Sequence, residues 1–169
     1  MRLCILGICA ALLVGCSDDA AGTPDAEVGC QIVGAPTLEV GIPDSITFLN
    51  FEPLAGTTDQ IPLSSNGQTF LAVQLAIRAT NFDRAVHIGM TVTYQPAVGP
   101  AKVAVKDDMP LERLQCRNDV LFMVPVVVSS EDLGDDLEIQ DKMIDVSVTV
   151  RDEGGRTATG NASGVLFRI

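Results

Sequence analysis

From Thr37 onward the chain repeatedly alternates apolar and polar residues with a period of two, the signature of half-buried strands. Leu38, Val40 and Ile42 alternate with Thr37, Glu39 and Gly41. Ile46 and Phe48 continue that series, and Leu49 and Phe51 then take the opposite parity, which marks a bulge or a strand edge. Residues 53–68 carry Pro53, Gly56, Pro62 and Asn66-Gly67, so a long loop ending in a turn is expected there. Leu71, Val73, Leu75, Ile77 and Ala79 then share one face of a strand, with Gln74 and Arg78 on the other. After Asn81-Phe82-Asp83, the residues Val86, Ile88, Met90, Val92 and Tyr94 alternate with His87, Gly89, Thr91 and Thr93.

Pro96 to Pro100 turns the chain into a short β-prone segment, Lys102 to Lys106, and Asp107 to Asp119 reads as polar and irregular. Val120 to Val128 is expected to place Phe122, Val124, Val126 and Val128 on one face, with Pro125 marking an edge strand or a bulge because it cannot donate to a ladder. Ser129 to Lys142 is the one stretch with a helical turn in prospect, its acidic residues placed where a helix N-terminus favours them. Ile144, Val146, Val148 and Val150 make a further strand, and Gly154-Gly155 turns it into a hairpin in which Val165, Phe167 and Ile169 close the core. Seven to nine strands with turn signals between them predict an all-β fold, an antiparallel β-sandwich, with a small barrel as the alternative. The hairpin from Ile144 to Ile169, with its charged glycine-containing tip, resembles the last two strands of bacterial immunoglobulin-like domains. That resemblance implies an Ig-like topology. The chain departs from antibody-type domains in having no Trp and in the placement of its cysteines.

The first residues have a different pattern. Arg2 precedes an apolar run from Leu3 to Val14, small residues come next, and Ser17-Asp18-Asp19 is abruptly polar. Charge, length and flanks are those of a secretory signal, and the run falls short of the roughly 20 residues a spanning helix needs. Leu13-Val14-Gly15-Cys16 resembles the lipobox of bacterial lipoproteins. The resemblance implies cleavage before Cys16 and lipidation of that cysteine, which anchors the mature chain to a membrane. It also implies a cell-envelope location, and Ser17 after the cysteine resembles lipoproteins sent to the outer rather than the inner membrane. The expected organisation is a signal peptide over residues 1–15, a lipidated flexible tether over 16–29 and an Ig-like domain over 30–169. Several acyl chains at about 0.8 kcal/mol per buried methylene hold such a domain essentially permanently.

Charge and cysteine count refine this picture. The formal net charge of −11 argues against nucleic acid, whose phosphates require Lys/Arg stripes. It argues equally against electrostatic attachment to anionic lipid heads, leaving the lipid chains as the expected membrane contact. Six Phe, one Tyr and no Trp make aromatic stacking platforms for sugars a poor expectation. Of five cysteines, Cys4 and Cys9 lie in the signal and Cys16 takes lipid. The remaining pair, Cys30 and Cys116, is expected to form a disulfide in an oxidising envelope.

Catalytic patterns are sought and not found. His87 is the only imidazole, on the outer parity of a strand. Gly160-Asn161-Ala162-Ser163-Gly164 places its serine one position late for a nucleophile elbow and lies in a strand rather than a strand-to-helix turn. Glu131, Asp132, Asp135, Asp136, Glu138 and Asp141 do not match a calcium loop, because Gly134 falls in the wrong place. The expectation is therefore a non-catalytic lipoprotein without cofactor or resident metal, binding or bracing another envelope protein or polymer. A calcium or small-ligand module using the acidic 131–141 connection is the alternative.

Overall fold

The computed structural model describes residues 30–44, 50–54, 56, 58–64, 71–107, 111–134 and 136–169. Cys16, the signal and the tether lie outside the described residues. The described chain is all-β with eleven strands: β1 (Thr37–Pro43), β2 (Phe51–Pro53), β3 (Gln60–Ser64), β4 (Ala72–Thr80), β5 (Ala85–Tyr94), β6 (Lys102–Lys106), β7 (Leu111–Arg113), β8 (Gln115–Arg117), β9 (Val120–Ser129), β10 (Met143–Asp152) and β11 (Thr157–Arg168). A 3-10 turn (Glu131–Leu133) and a single helical turn, α1 (Asp136–Ile139), lie between β9 and β10, within the stretch where a helical turn was expected.

Hydrogen bonding follows the path β2-β1-β4-β3-β11-β10-β5-β6, with β9 on the other edge of β4, β8 outside β9, and β7 beside β5. The path has two ends, so the sheet is not a closed barrel. Nor is it purely antiparallel: β11 runs parallel to β3, pairing Val165–Arg168 with Gln60–Leu63. Through Leu63 and Ser64, β3 also pairs antiparallel with β4, and so it joins two arms of one mixed sheet. One arm is β8-β9-β4-β1-β2 and the other is β6-β5-β10-β11. Alternation buries one face of each, and residues of both arms belong to a single apolar core that includes Leu75, Ile77, Ile88, Val92, Val148 and Leu166.

The strand β3 falls inside the stretch 53–68 expected to be a loop. Ile61 and Leu63 are fully buried there although Pro53, Gly56 and Pro62 punctuate the sequence. Pro62 is tolerated because β3 pairs with β11 and β4 over short, different segments. Likewise β7 and β8 form inside the polar 107–119 stretch. Leu114 is the buried residue between them, and Asn118 and Asp119, both at positive φ, make the tight turn from β8 into β9.

Two expected parities are reversed. Opposite β4, the register along β9 runs Val73↔Val128, Leu75↔Val126, then Ile77↔Met123 and Ala79↔Leu121. Ala76 of β4 thus faces two residues of β9, a bulge at Val124-Pro125. It moves Leu121 and Met123 to the core face and leaves Phe122 opposite Arg78 on the outer face. Proline predicted the bulge, but not which residues it would turn outward. On β11 the inward series is Ala158, Gly160, Ala162, Gly164 and Leu166; Leu166 is fully buried, while Phe167 and Ile169 are 39% and 55% exposed. The reason is close packing. A Cβ on Gly160 would stand 3.1 Å from the Leu38 carbonyl oxygen, and one on Gly164 would stand 2.8 Å from that of Asp59. Small inward residues let β1 and the chain entering β3 approach the β11 backbone.

Gln74, expected on the outer face, is also buried, and its amide donates to Ser64 Oγ. The charged 129–142 connection carries two apolar plugs: Leu133 and Ile139, both fully buried, close over the core.

Candidate functional site

The strand directions define two ends. The end holding Thr37, Thr80, Ala85 and the Asp152–Arg156 turn is where residue 30 enters; the other holds Pro43, Ala72, Tyr94 and Arg168. At the entry end, Cys30 and Cys116 form a disulfide with a Cα–Cα separation of 5.9 Å. Asn81, at positive φ, accepts from Val33 N–H at 3.0 Å and donates to the Ala35 carbonyl at 2.8 Å. Residues 30–36 are thereby pinned to the β4–β5 turn although they form no strand. Asp152, with its side chain buried, accepts from Arg156 N–H at 2.8 Å, from Arg156 Nε at 2.7 Å and from Asp83 N–H at 3.2 Å. Burial alone would push its carboxyl up, but these bonds outweigh burial, with Arg156 the strongest, and hold it below the usual carboxylate value. Arg156 also donates to Asp83 at 2.8 Å, and its guanidinium is held more firmly protonated than usual by Asp152 first and Asp83 second. This cluster fastens the β10–β11 turn to the β4–β5 turn, and its geometry is that of a brace.

The outer face of the first arm carries a row that the apolar periodicity did not reveal. Glu39, Arg78, Phe122 and Gln115 stand side by side across β1, β4, β9 and β8. The Arg78 guanidinium lies 4.9 Å from the Phe51 ring centroid and its Nε donates to Glu39 at 2.8 Å. Arg117 lies 4.5 Å over Phe122 and donates to Gln115 at 3.0 Å. Cation–π pairing explains why an outward-facing Phe122 is nevertheless only 8% exposed.

At the far end, β1 leaves β4 after Gly41 to pair with β2, and β3 takes over the vacated edge of β4. The divergence opens a groove of about 560 Å³ lined by Ile42, Pro43, Glu52, Pro53, Thr58, Asp59, Gln60, Pro62, Phe167 and Ile169. Exposed Phe167 and Ile169 supply its apolar wall, and Glu52 and Asp59 supply its charge.

The remaining candidates disperse. His87 lies in mid-strand, opposite Leu111 of β7 and Arg151 of β10. Ser163 donates to Asp145 at 2.6 Å on the outer face of the β10–β11 pair, level with Thr93 of β5; His87 is level with Arg151 and Thr157, roughly 20 Å along the strand at about 3.3 Å per residue, so the two do not make a nucleophile and its base. In the acidic connection, both carboxylate oxygens of Glu138 accept from Lys102 at 2.9 Å. Among the described residues no group of three or more His, Cys, Asp or Glu side chains is placed to hold a metal ion. Asp135 and the side chain of Asp136 lie outside the described set. Among the described residues no helix is long and apolar enough to cross a membrane. No family model matches the chain, and no curated protein matches it.

Proposed function

We propose that the chain is a membrane-anchored envelope lipoprotein whose domain is a non-catalytic, Ig-like β-sandwich that binds another envelope protein at its far end. In this reading Cys16 carries the lipid, residues 16–29 tether the domain, and the outer membrane is the home surface. One observation carries the proposal: the segment that comes after the tether is fixed at one end of the sheet by the disulfide and Asn81, while the groove of about 560 Å³ opens at the opposite end. An anchored domain built this way holds its groove away from the membrane. The apolar wall of Phe167 and Ile169 beside Glu52 and Asp59 suits a segment that carries an apolar side chain flanked by basic residues.

A photo-crosslinking residue at Phe167, in the lipidated protein in its native envelope, tests this. One discrete protein adduct is expected from that position, none from the same residue at Thr149 on the outer face of β10, and a loss of yield in Cys16→Ser. Equal adducts from both positions, adducts to a polymer only, or none at all would overturn it.

A further inference from the structure

Four strands of the second arm present their outer side chains in level rows. Val103 of β6, Thr93 of β5, Asp145 of β10 and Ser163 of β11 form one row, and Val105, Thr91, Ser147 and Asn161 form the next. The six polar members of these rows line a concavity of about 310 Å³, together with Val146 and Ala162. Asp145 and Asn161 are exposed there and the other four are half-buried. Asp145 carries the single charge among the six, in a chain whose net charge is −11.

At one margin of the rows, β6 reverses the alternation expected of a strand with one face on the core. Lys102, Ala104 and Lys106 lie level with the buried Tyr94, Val92 and Met90, and Lys102 reaches Glu138. Val103 and Val105 point outward instead, 42% and 50% exposed. The polar rows therefore end on a pair of exposed valines.

The chemistry of this hollow favours one class of partner. A lone carboxylate with no base among the six repels polymers that carry phosphate or carboxylate. Ser, Thr and Asn side chains both donate and accept, as hydroxyl groups on a ligand require. Neighbouring strands lie about 4.8 Å apart, so each row repeats a polar group at nearly the length of one pyranose in an extended chain. The two rows are about 6.6 Å apart at about 3.3 Å per residue, so groups from both can reach opposite edges of one ring.

We infer that this face binds an uncharged, extended polysaccharide laid across the strands. Three sugars meet the polar rows, and a fourth sets its C–H face on Val103 and Val105. The inference is independent of the lipid anchor and of the groove. With no aromatic ring in the rows, each sugar adds little, and affinity comes from several contacts made at once. Binding therefore requires a chain of sugars rather than a single one.

Amide NMR titration of the 15N-labelled protein with cellohexaose and with chitohexaose tests this. One or both should give saturable shifts centred on Thr91, Thr93, Ser147 and Asn161, with glucose and cellobiose at least tenfold weaker and added salt without effect. Binding of either supports the inference, and the preferred one shows whether acetamido groups belong to the ligand. Ser147→Arg, which sets a long side chain across the hollow, should abolish binding, and Asn161→Ala should weaken it about tenfold. Thr157→Arg, on the same face but level with Arg151, should leave it intact. No shifts with either hexasaccharide, shifts centred elsewhere, equal affinity for glucose, or loss of binding in salt would overturn the inference. So would binding unchanged in both Ser147→Arg and Asn161→Ala. Shifts of the same amides that grow with protein concentration in the absence of sugar would assign the face to a second copy of the chain and overturn it too.

Discussion

Asp152 shows how one residue can be read as hairpin-tip charge and prove to be a fastening. Its neighbours Glu153, Gly154 and Gly155 announce a turn, and nothing local reveals that the carboxylate is buried against Arg156 and the Asp83 amide. Because its folded-state value lies below the ordinary 3.8, its contribution is fully present above that value and is lost as pH falls below it towards the folded value. Asp152→Asn should lower stability by about 1.5–3 kcal/mol at neutral pH, the range for hydrogen bonds to a charged group. The gap between variant and parent should close as pH drops below about 4. Urea midpoints measured from pH 7 to pH 3 would check both statements, and a constant gap would contradict the assigned role. The cysteines are the opposite case, since the count, with Cys16 expected to take lipid, points to Cys30 and Cys116 as the pair. Breaking the bond with Cys30→Ser should cost roughly 4–5 kcal/mol in the chain-entropy account of an 86-residue separation, read as a shift in thermal midpoint.

Strands with strict alternation, β4, β5 and β10, were legible in the sequence because each lies between two partners and has one face in the core. The stretches that were not legible share a physical cause: their environment is set by partners distant in sequence. β3 is buried because two strands from elsewhere flank it, in spite of Pro62, and β8 is a strand because Asn118 and Asp119 turn it back on β9. That two-residue turn was the available signal, obscured by the polar residues around it. On β11, apolar character pointed to Phe167 and Ile169, but the inward side is the row of small residues that lets β1 approach. Paired truncations separate the two parities. Leu166→Ala should cost about 2–5 kcal/mol as a fully buried site, whereas Phe167→Ala should cost under about 1 kcal/mol. Chemical denaturation of the two variants would reverse that order if the expected parity were the true one.

At the scale of the whole molecule, the parallel pairing of β3 with β11 joins the two arms, and no sequence pattern announces it, since period two is the same for either strand direction. The groove is a consequence of that pairing: β3 fills the edge of β4 that β1 abandons, and the two never rejoin. Its residues come from four separate stretches of chain, so no motif could have collected them. The position of the groove matters only if something fixes which end is near the membrane, and in the proposed reading that weight falls on Cys16 and the disulfide together. In that reading the lipid would set the surface, and the Cys30–Cys116 bond the end of the domain that meets it. Cys16→Ser should therefore move the protein from the membrane pellet to the soluble fraction after an alkaline carbonate wash, while leaving the thermal midpoint of the domain unchanged. Retention of the variant in the carbonate-washed pellet would remove the lipid anchor from the account and, with it, the reason for one end to face the membrane.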